Sequence, residues 1–275
     1  MPSYKLLALD MDGTAYHSLG TVVTSNIKPI IAAQESGVKV VFVTGRPLSA
    51  SQNQFVENGF TKHEAIAIGY NGALIYDFQQ NVVVSENPIE RELVINAFRE
   101  SFKYDNSTNI IWAYSTDENK VFLNKSIMGT QLQPEINFFH GEKDQISEND
   151  LEKLTSCYKL LVTNCTDEYL DYLDKNGFEV AYSKHSANAE INKKGISKKL
   201  GIEFLCNKYN IDVKDTMAMG DGKNDISMLK YVAFSLAPSN ANIAVKEIVD
   251  EVLHLSADEG AVAHVINKYI LNKGE

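Results

Sequence analysis

Four short stretches carry side chains that could do chemistry together: Asp10-Met11-Asp12-Gly13-Thr14, Thr44-Gly45-Arg46, Lys194-Gly195 and Gly220-Asp221-Gly222-Lys223-Asn224-Asp225. Asp10 and Asp12 stand two apart, so at a strand end both carboxylates can point into one crevice. Asp221 and Asp225 are four apart with Asn224 between them. On a helical start they share a face, where like charges repel unless a cation sits nearby. Four carboxylates with no nitrogen or sulfur ligand among them suit a hard divalent ion, and Mg²⁺ is the expected one. Taken singly, each stretch has an ordinary reading: Asp-x-Asp-Gly as a turn, Thr-Gly-Arg as a helix-capping loop, Lys-Gly as a solvated lysine beside a turn. Their combination, with three of them at the ends of strand-like runs, points to a site.

The elements that must position these residues are legible in the hydrophobic pattern. Residues 4–9 and 38–43 are apolar almost without interruption, as in strands buried on both faces of a parallel sheet, and they run into Asp10 and Thr44. The run 216–219 leads into Gly220 in the same way. Helical spacing covers 26–36, stopped by Gly37, and 48–58, closed by Gly59. Short strands at 65–68 and 73–76 flank Asn71-Gly72, read as a structural turn. This alternation predicts an α/β fold with a doubly wound parallel-sheet core, in which ligands bind outside the carboxyl ends of the strands.

The middle of the chain changes character. A surface helix at 88–102, short strands at 110–114, 120–123 and 159–163, helices at 151–156 and 166–176, and a strand at 177–182 predict an inserted α+β domain. The first pattern then resumes, with a helix at 195–208, a strand at 232–236 and helices at 241–249 and 261–271. The expected anatomy is a core of 1–82 and 186–275, interrupted by an insert of 83–185.

The four motifs, in this order, resemble those of haloacid dehalogenase superfamily phosphatases of the Cof-like type. Asn71-Gly72-Ala73 and Pro238-Ser239-Asn240-Ala241 are similar to further stretches of that type, and the insert matches a C2-type cap in placement. Ala15 departs from the larger apolar residue common there, and Lys193 beside Lys194 leaves the lysine register open by one. The resemblance implies a Rossmannoid core, Mg²⁺ dependence and hydrolysis of phosphomonoesters through an aspartyl phosphate. It further implies Asp10 as nucleophile and Asp12 as general acid and base, with a raised pKa. Met11, Thr44, Gly45, Arg46, Lys194 and Asn224 would meet the phosphate or substrate. Asp10, Asp12 through its main-chain carbonyl, Asp221 and Asp225 would hold or orient the metal. A phosphate dianion with ionised Asp10 and Asp221 totals about −4, against about +3 from Mg²⁺ and the lysine, which is why the cations are needed.

Composition narrows the alternatives. The 275 residues include 36 acidic against 26 basic, a net charge of −10, so a nucleic-acid backbone is not an expected partner. The cysteines, Cys157, Cys165 and Cys206, form no CxxC, which argues against a disulfide framework or zinc site and suits a reducing compartment. Apolar runs of about five residues are far short of the roughly 20 that span a bilayer. The first residues lack a basic region and cleavage site. The expectation is a cytoplasmic protein with no membrane partner, a monomer by default, acting on a small phosphate ester: a sugar phosphate or a phosphorylated cofactor such as FMN or pyridoxal phosphate. A phosphomutase on this scaffold would need arginines in the insert to re-bind a bisphosphate, and only Arg91 and Arg99 are there. A non-catalytic ligand-binding regulator would be marked by loss of Asp10 or Asp12, and both are present. No GxxxxGK[ST] occurs. His185 is read as a surface residue, Trp112 and the insert tyrosines as packing, and 142–152 as a solvated acidic segment.

Overall fold

Leu6–Asp10 and Lys39–Val43 pair as parallel neighbours, with Leu9 opposite Phe42 and Asp10 opposite Val43. The computed structural model in which they lie describes residues 4–18, 20–63, 65–117, 119–183 and 187–272; His185 lies outside the described residues. Among the described residues the strands are β1 (Leu6–Asp10), β2 (Lys39–Val43), β3 (Ile66–Gly69), β4 (Leu74–Asp77), β5 (Val82–Glu86), β6 (Ile110–Ser115), β7 (Lys120–Leu123), β8 (Glu142–Gln145), β9 (Cys157–Thr163), β10 (Phe178–Ser183), β11 (Asn188–Lys193), β12 (Thr216–Met219), β13 (Phe234–Ala237) and β14 (Glu251–Val252). The chain divides into two compact units, Met1–Ser85 with Ser197–Glu275, and Glu86–Ile196.

The first unit is built on an eight-stranded sheet of order β14-β13-β12-β1-β2-β3-β4-β5. All pairings from β14 to β3 are parallel, and β4 turns back antiparallel on β3. β1 is central and buried at every position, which is why its sequence does not alternate. The chain order runs outward from β1 toward β2 and β3 on one side and returns at β12 on the other. β1 and β12 therefore flank a topological switch point, and the loops after β1, β2 and β12 open at one edge of the sheet. One face packs Leu6, Ala8, Val41 and Ile68 against Ile202 and Leu205 of the helix Lys198–Tyr209. Gly201 permits that close seating, since a Cβ there would stand 2.8 Å from Ile68. An aromatic cluster forms around Phe42, with ring centroids 4.9 Å from Phe55 and 5.2 Å from Phe60.

The second unit is a six-stranded sheet of order β10-β11-β9-β6-β7-β8, antiparallel except for β7–β8. The helices Arg91–Ser101 and Asp167–Lys175 contribute Val94, Phe98, Tyr169 and Leu173 to a core shared with Ile111, Leu160, Val162 and Ile191. Lys125 closes a loop here by donating to the carbonyls of Ser101, Asp105 and Thr108 at 2.9, 3.0 and 2.8 Å. Three elements differ from the sequence reading. The acidic run at 142 begins with a strand, β8, whose polar side chains face outward from a sheet edge. The helix expected at 151–156 is instead a 3₁₀ segment, Glu148–Lys153, and β9 starts at Cys157. β11, in a stretch expected to have returned to the core, pairs with β10 and β9, so this unit continues to Ile196. Among the described residues no helix is long and apolar enough to cross a membrane.

Candidate active site

The loop after β1 is wound tightly enough to aim two carboxylates differently. The amides of Thr14 and Tyr16 donate to the Met11 carbonyl at 3.1 and 2.8 Å, and that of Ala15 to the Asp10 carbonyl at 3.2 Å. Gly13 makes the turn at φ +77°, and a Cβ there would lie 2.6 Å from Asp221 Oδ2. The loop thus meets the segment after β12 at a distance only glycine allows. Met11 fills the interior beneath it, with a buried side chain.

Asp10, Asp221 and Asp225 offer carboxylate oxygens that all lie within 4.8 Å of one another. A fully buried ammonium joins them: Lys198 Nζ is 2.5 Å from Asp10 Oδ1 and 2.5 Å from Asp225 Oδ1. Asp225 Oδ2 in turn accepts from the amides of Asp221 and Gly222 at 3.0 and 2.8 Å. Both Asp225 oxygens are therefore engaged, and its carboxylate braces the loop that carries Asp221. Thr14 Oγ1 donates to Asp221 Oδ1 at 3.4 Å. Burial raises the Asp10 pKa well above its ordinary value and the Asp225 carboxylate adds to it, against the opposing pull of Lys198. Burial and Asp225 raise that of Asp221 likewise. Burial lowers the pKa of Lys198, but Asp10 and Asp225 more than offset it and the net shift is upward. An all-oxygen group in which the Asp225 carboxylate raises the pKa of both Asp10 and Asp221 fits a hard divalent cation.

Asp12 stands apart from that group. Its Oδ2 is 2.7 Å from Arg46 Nε, and burial raises its pKa against the lowering effect of the Arg46 and Lys198 cations. Arg46, expected at the phosphate or substrate, pairs here with the Asp12 carboxylate. Thr44, buried at the end of β2, accepts the Arg46 amide on Oγ1 at 3.1 Å, and Gly45 links the two. Asn224 Nδ2 donates to Asn71 Oδ1 at 3.4 Å.

Lys194 is where sequence reading and structure part. Its Nζ pairs with Asp174 at 2.8 Å within the second unit, both side chains more than half exposed. Lys193 pairs with Glu90 in the same unit. The ammonium beside Asp10 is that of Lys198, four residues on, at the first position of its helix. A signal for it existed in the sequence: a cation at a helix N-terminus opposes the helix dipole, and one there asks for a carboxylate partner.

The model of the haloacid dehalogenase-like hydrolases matches residues 7–266, a span that takes in every motif above. The chain belongs to that family. Within the haloacid dehalogenase-like hydrolases it is a Cof-like phosphatase, a phosphoric monoester hydrolase. It is 29% identical over 271 residues to a 5-amino-6-(5-phospho-D-ribitylamino)uracil phosphatase of Bacillus subtilis (strain 168), covering 97% of this chain and 96% of the other. A phosphoglycolate phosphatase of Methanobrevibacter smithii is 25% identical over 271 residues, at 96% and 98% coverage. The crystal structure of a haloacid dehalogenase-like hydrolase from Bacteroides thetaiotaomicron superposes with a TM-score of 0.81 at 25% identity, covering 97% of this chain and 99% of that one.

Proposed function

We propose that this phosphatase hydrolyses small phosphomonoesters, sugar phosphates or phosphorylated cofactors such as FMN or pyridoxal phosphate, with Mg²⁺ and through an aspartyl phosphate on Asp10. We further take it to act as a cytoplasmic monomer. One observation carries the mechanism: two aspartates of one loop have different partners and different surroundings. Asp10 is buried against Lys198 in the carboxylate group, and Asp12 is held by Arg46 outside it.

A nucleophile must be ionised: burial and Asp225 hold a proton on Asp10, and Lys198, together with a divalent ion held by the carboxylate group, would favour its charged form. An acid-base residue must carry a proton near neutral pH, and burial favours that in Asp12. An Asp10 oxygen attacks phosphorus, the ester P–O bond breaks, and Asp12 gives its proton to the departing alkoxide. Asp12 then takes a proton from water as the water oxygen attacks phosphorus, which frees Asp10 and inorganic phosphate. Thr44, whose Oγ1 already accepts the Arg46 amide, has its hydroxyl proton to give to a phosphoryl oxygen. The Gly45 amide and Asn224 assist it, and Lys198 takes the part expected of Lys194. Asp10, Asp221 and the Asp12 carbonyl would hold Mg²⁺, with Asp225 orienting the loop through its own bonds. When bound, the ion supplies Lewis-acid stabilisation of the phosphoryl charge.

The relatives named for a phosphorylated ribitylaminouracil and for phosphoglycolate support a small phosphomonoester. The mutase reading is weakened further: Arg91 donates to the Leu154 and Glu152 carbonyls and Arg99 to Asn96, bonds that serve the insert itself. The test is phosphate release, with Mg²⁺, from a panel of sugar phosphates, nucleotides, FMN and pyridoxal phosphate, with Asp10→Asn as control. Release by the wild type alone is expected. Equal release by Asp10→Asn would end the nucleophile assignment, and no release from any ester would end the hydrolase reading of this site.

A further inference from the structure

The tripeptide Tyr70-Asn71-Gly72 after β3 is more than a turn. All three residues lie in left-handed backbone, with φ of +51°, +59° and +114°. Glycine normally occupies such positions and asparagine tolerates them, whereas a bulky tyrosine is strained there. Strain of this kind persists only where surrounding contacts enforce it, and here the contacts are with the site loops. The Tyr70 amide donates to the Arg46 carbonyl at 3.3 Å, and the Asn71 amide to the Thr44 carbonyl at 3.0 Å. A Cβ on Gly72 would stand 2.3 Å from the carbonyl oxygen of Ser197, the residue before Lys198. The Asn71 carboxamide accepts from Asn224. One buried tripeptide thus meets the Thr44–Arg46 loop, the start of the Lys198 helix and the Asn224 side chain. These are the groups assigned above to the phosphate. The carboxylates assigned to the metal take bonds from Lys198 Nζ and from the amides of the 220–225 loop.

We infer that Tyr70-Asn71-Gly72 is a positioning element for the phosphate-binding groups, with Asn71 acting through its carboxamide on Asn224. The inference rests on the phosphatase reading for what the site binds. Asn71→Gly tests it, because glycine accepts the left-handed backbone while the carboxamide is removed. Binding of inorganic phosphate in the presence of Mg²⁺, and of Mg²⁺ alone, is measured by titration calorimetry alongside Tm. Asn71→Gly is expected to weaken phosphate binding roughly tenfold, the worth of one hydrogen bond, with Tm and Mg²⁺ affinity unchanged. The double variant Asn71→Gly/Asn224→Ala should bind phosphate no more weakly than Asn224→Ala alone. Wild-type phosphate affinity in Asn71→Gly would overturn the inference, since only the backbone would then matter. So would a parallel loss of Mg²⁺ affinity and Tm, or strictly additive losses in the double variant. A wild type that binds phosphate but hydrolyses no ester would refute the phosphatase reading and leave the positioning role standing. A wild type that binds no phosphate refutes both.

Discussion

A lysine buried between two carboxylates is expensive to desolvate, and removing it leaves the carboxylates worse off than before. Lys198→Met would strand Asp10 and Asp225 in the interior with no protein cation between them. Breaking a buried pair in this way costs about 3–5 kcal/mol, so a large drop in denaturation midpoint is expected together with loss of turnover. Lys194→Met, which removes an exposed pair with Asp174, should leave both unchanged. The reverse result would return Lys194 to the site. Arg46 offers a second test at this scale. Its guanidinium favours the ionised form of Asp12, so Arg46→Met should raise the Asp12 pKa further. Phosphoryl transfer needs Asp12 protonated, and the alkaline limb of the kcat/KM profile should therefore move to higher pH in that variant. A limb that stays in place would mean that another group titrates there.

Elements place these residues through strand ends. Continuous apolar runs made β1, β2 and β12 legible, because a strand covered on both faces cannot alternate, and the polar site residues follow where each run stops, acids after β1 and β12 and Thr44-Gly45-Arg46 after β2. Register then does the rest: Asp10 lies opposite Val43, and Leu9 opposite Met219, so three loops open side by side. Gly13 is where two of them touch. Gly13→Ala would add left-handed strain of about 1–2 kcal/mol and press a methyl group into the Asp221 carboxylate. Activity should fall much more than Tm, and an active Gly13→Ala enzyme would show that the two loops need not approach so closely. The elements missed were of a different kind. β5 exposes most of its side chains, β8 is polar throughout, and β11 mixes polar and apolar residues; each is a strand because of the neighbour it pairs with. Backbone pairing of that sort leaves little trace in hydropathy.

For the molecule as a whole, the proposed metal would make stability depend on cation and pH together. Without a cation, Asp10 and Asp221 hold protons more readily in the fold than in the unfolded chain. Raising the pH from the ordinary carboxylate range through their raised values therefore removes stability. A divalent ion bound there would take over the role of those protons. The metal-free protein should lose Tm as pH rises through that window, and Mg²⁺ at 100 times its Kd should restore about 2.7 kcal/mol. Excess EDTA should stop turnover reversibly. Rates and Tm indifferent to EDTA would remove the metal from the mechanism.

The sequence by itself determined the order of the motifs, the α/β core with an insert, and the acids that gather. Those depend on local residue types, strand-end chemistry and periodicity, which one chain displays without partners. Only the tertiary structure decided which lysine meets Asp10, that Arg46 holds Asp12, that Asp225 braces rather than lies open, and that Asn71 is more than part of a turn. Apart from the Asp225 brace, which spans three and four positions, these are contacts between residues far apart in the chain, from 34 positions for Arg46–Asp12 to 188 for Lys198–Asp10. Packing depth fixes such contacts: Lys198 reaches Asp10 because Gly201 lets its helix settle onto Ile68, and no run of neighbouring residues records that distance.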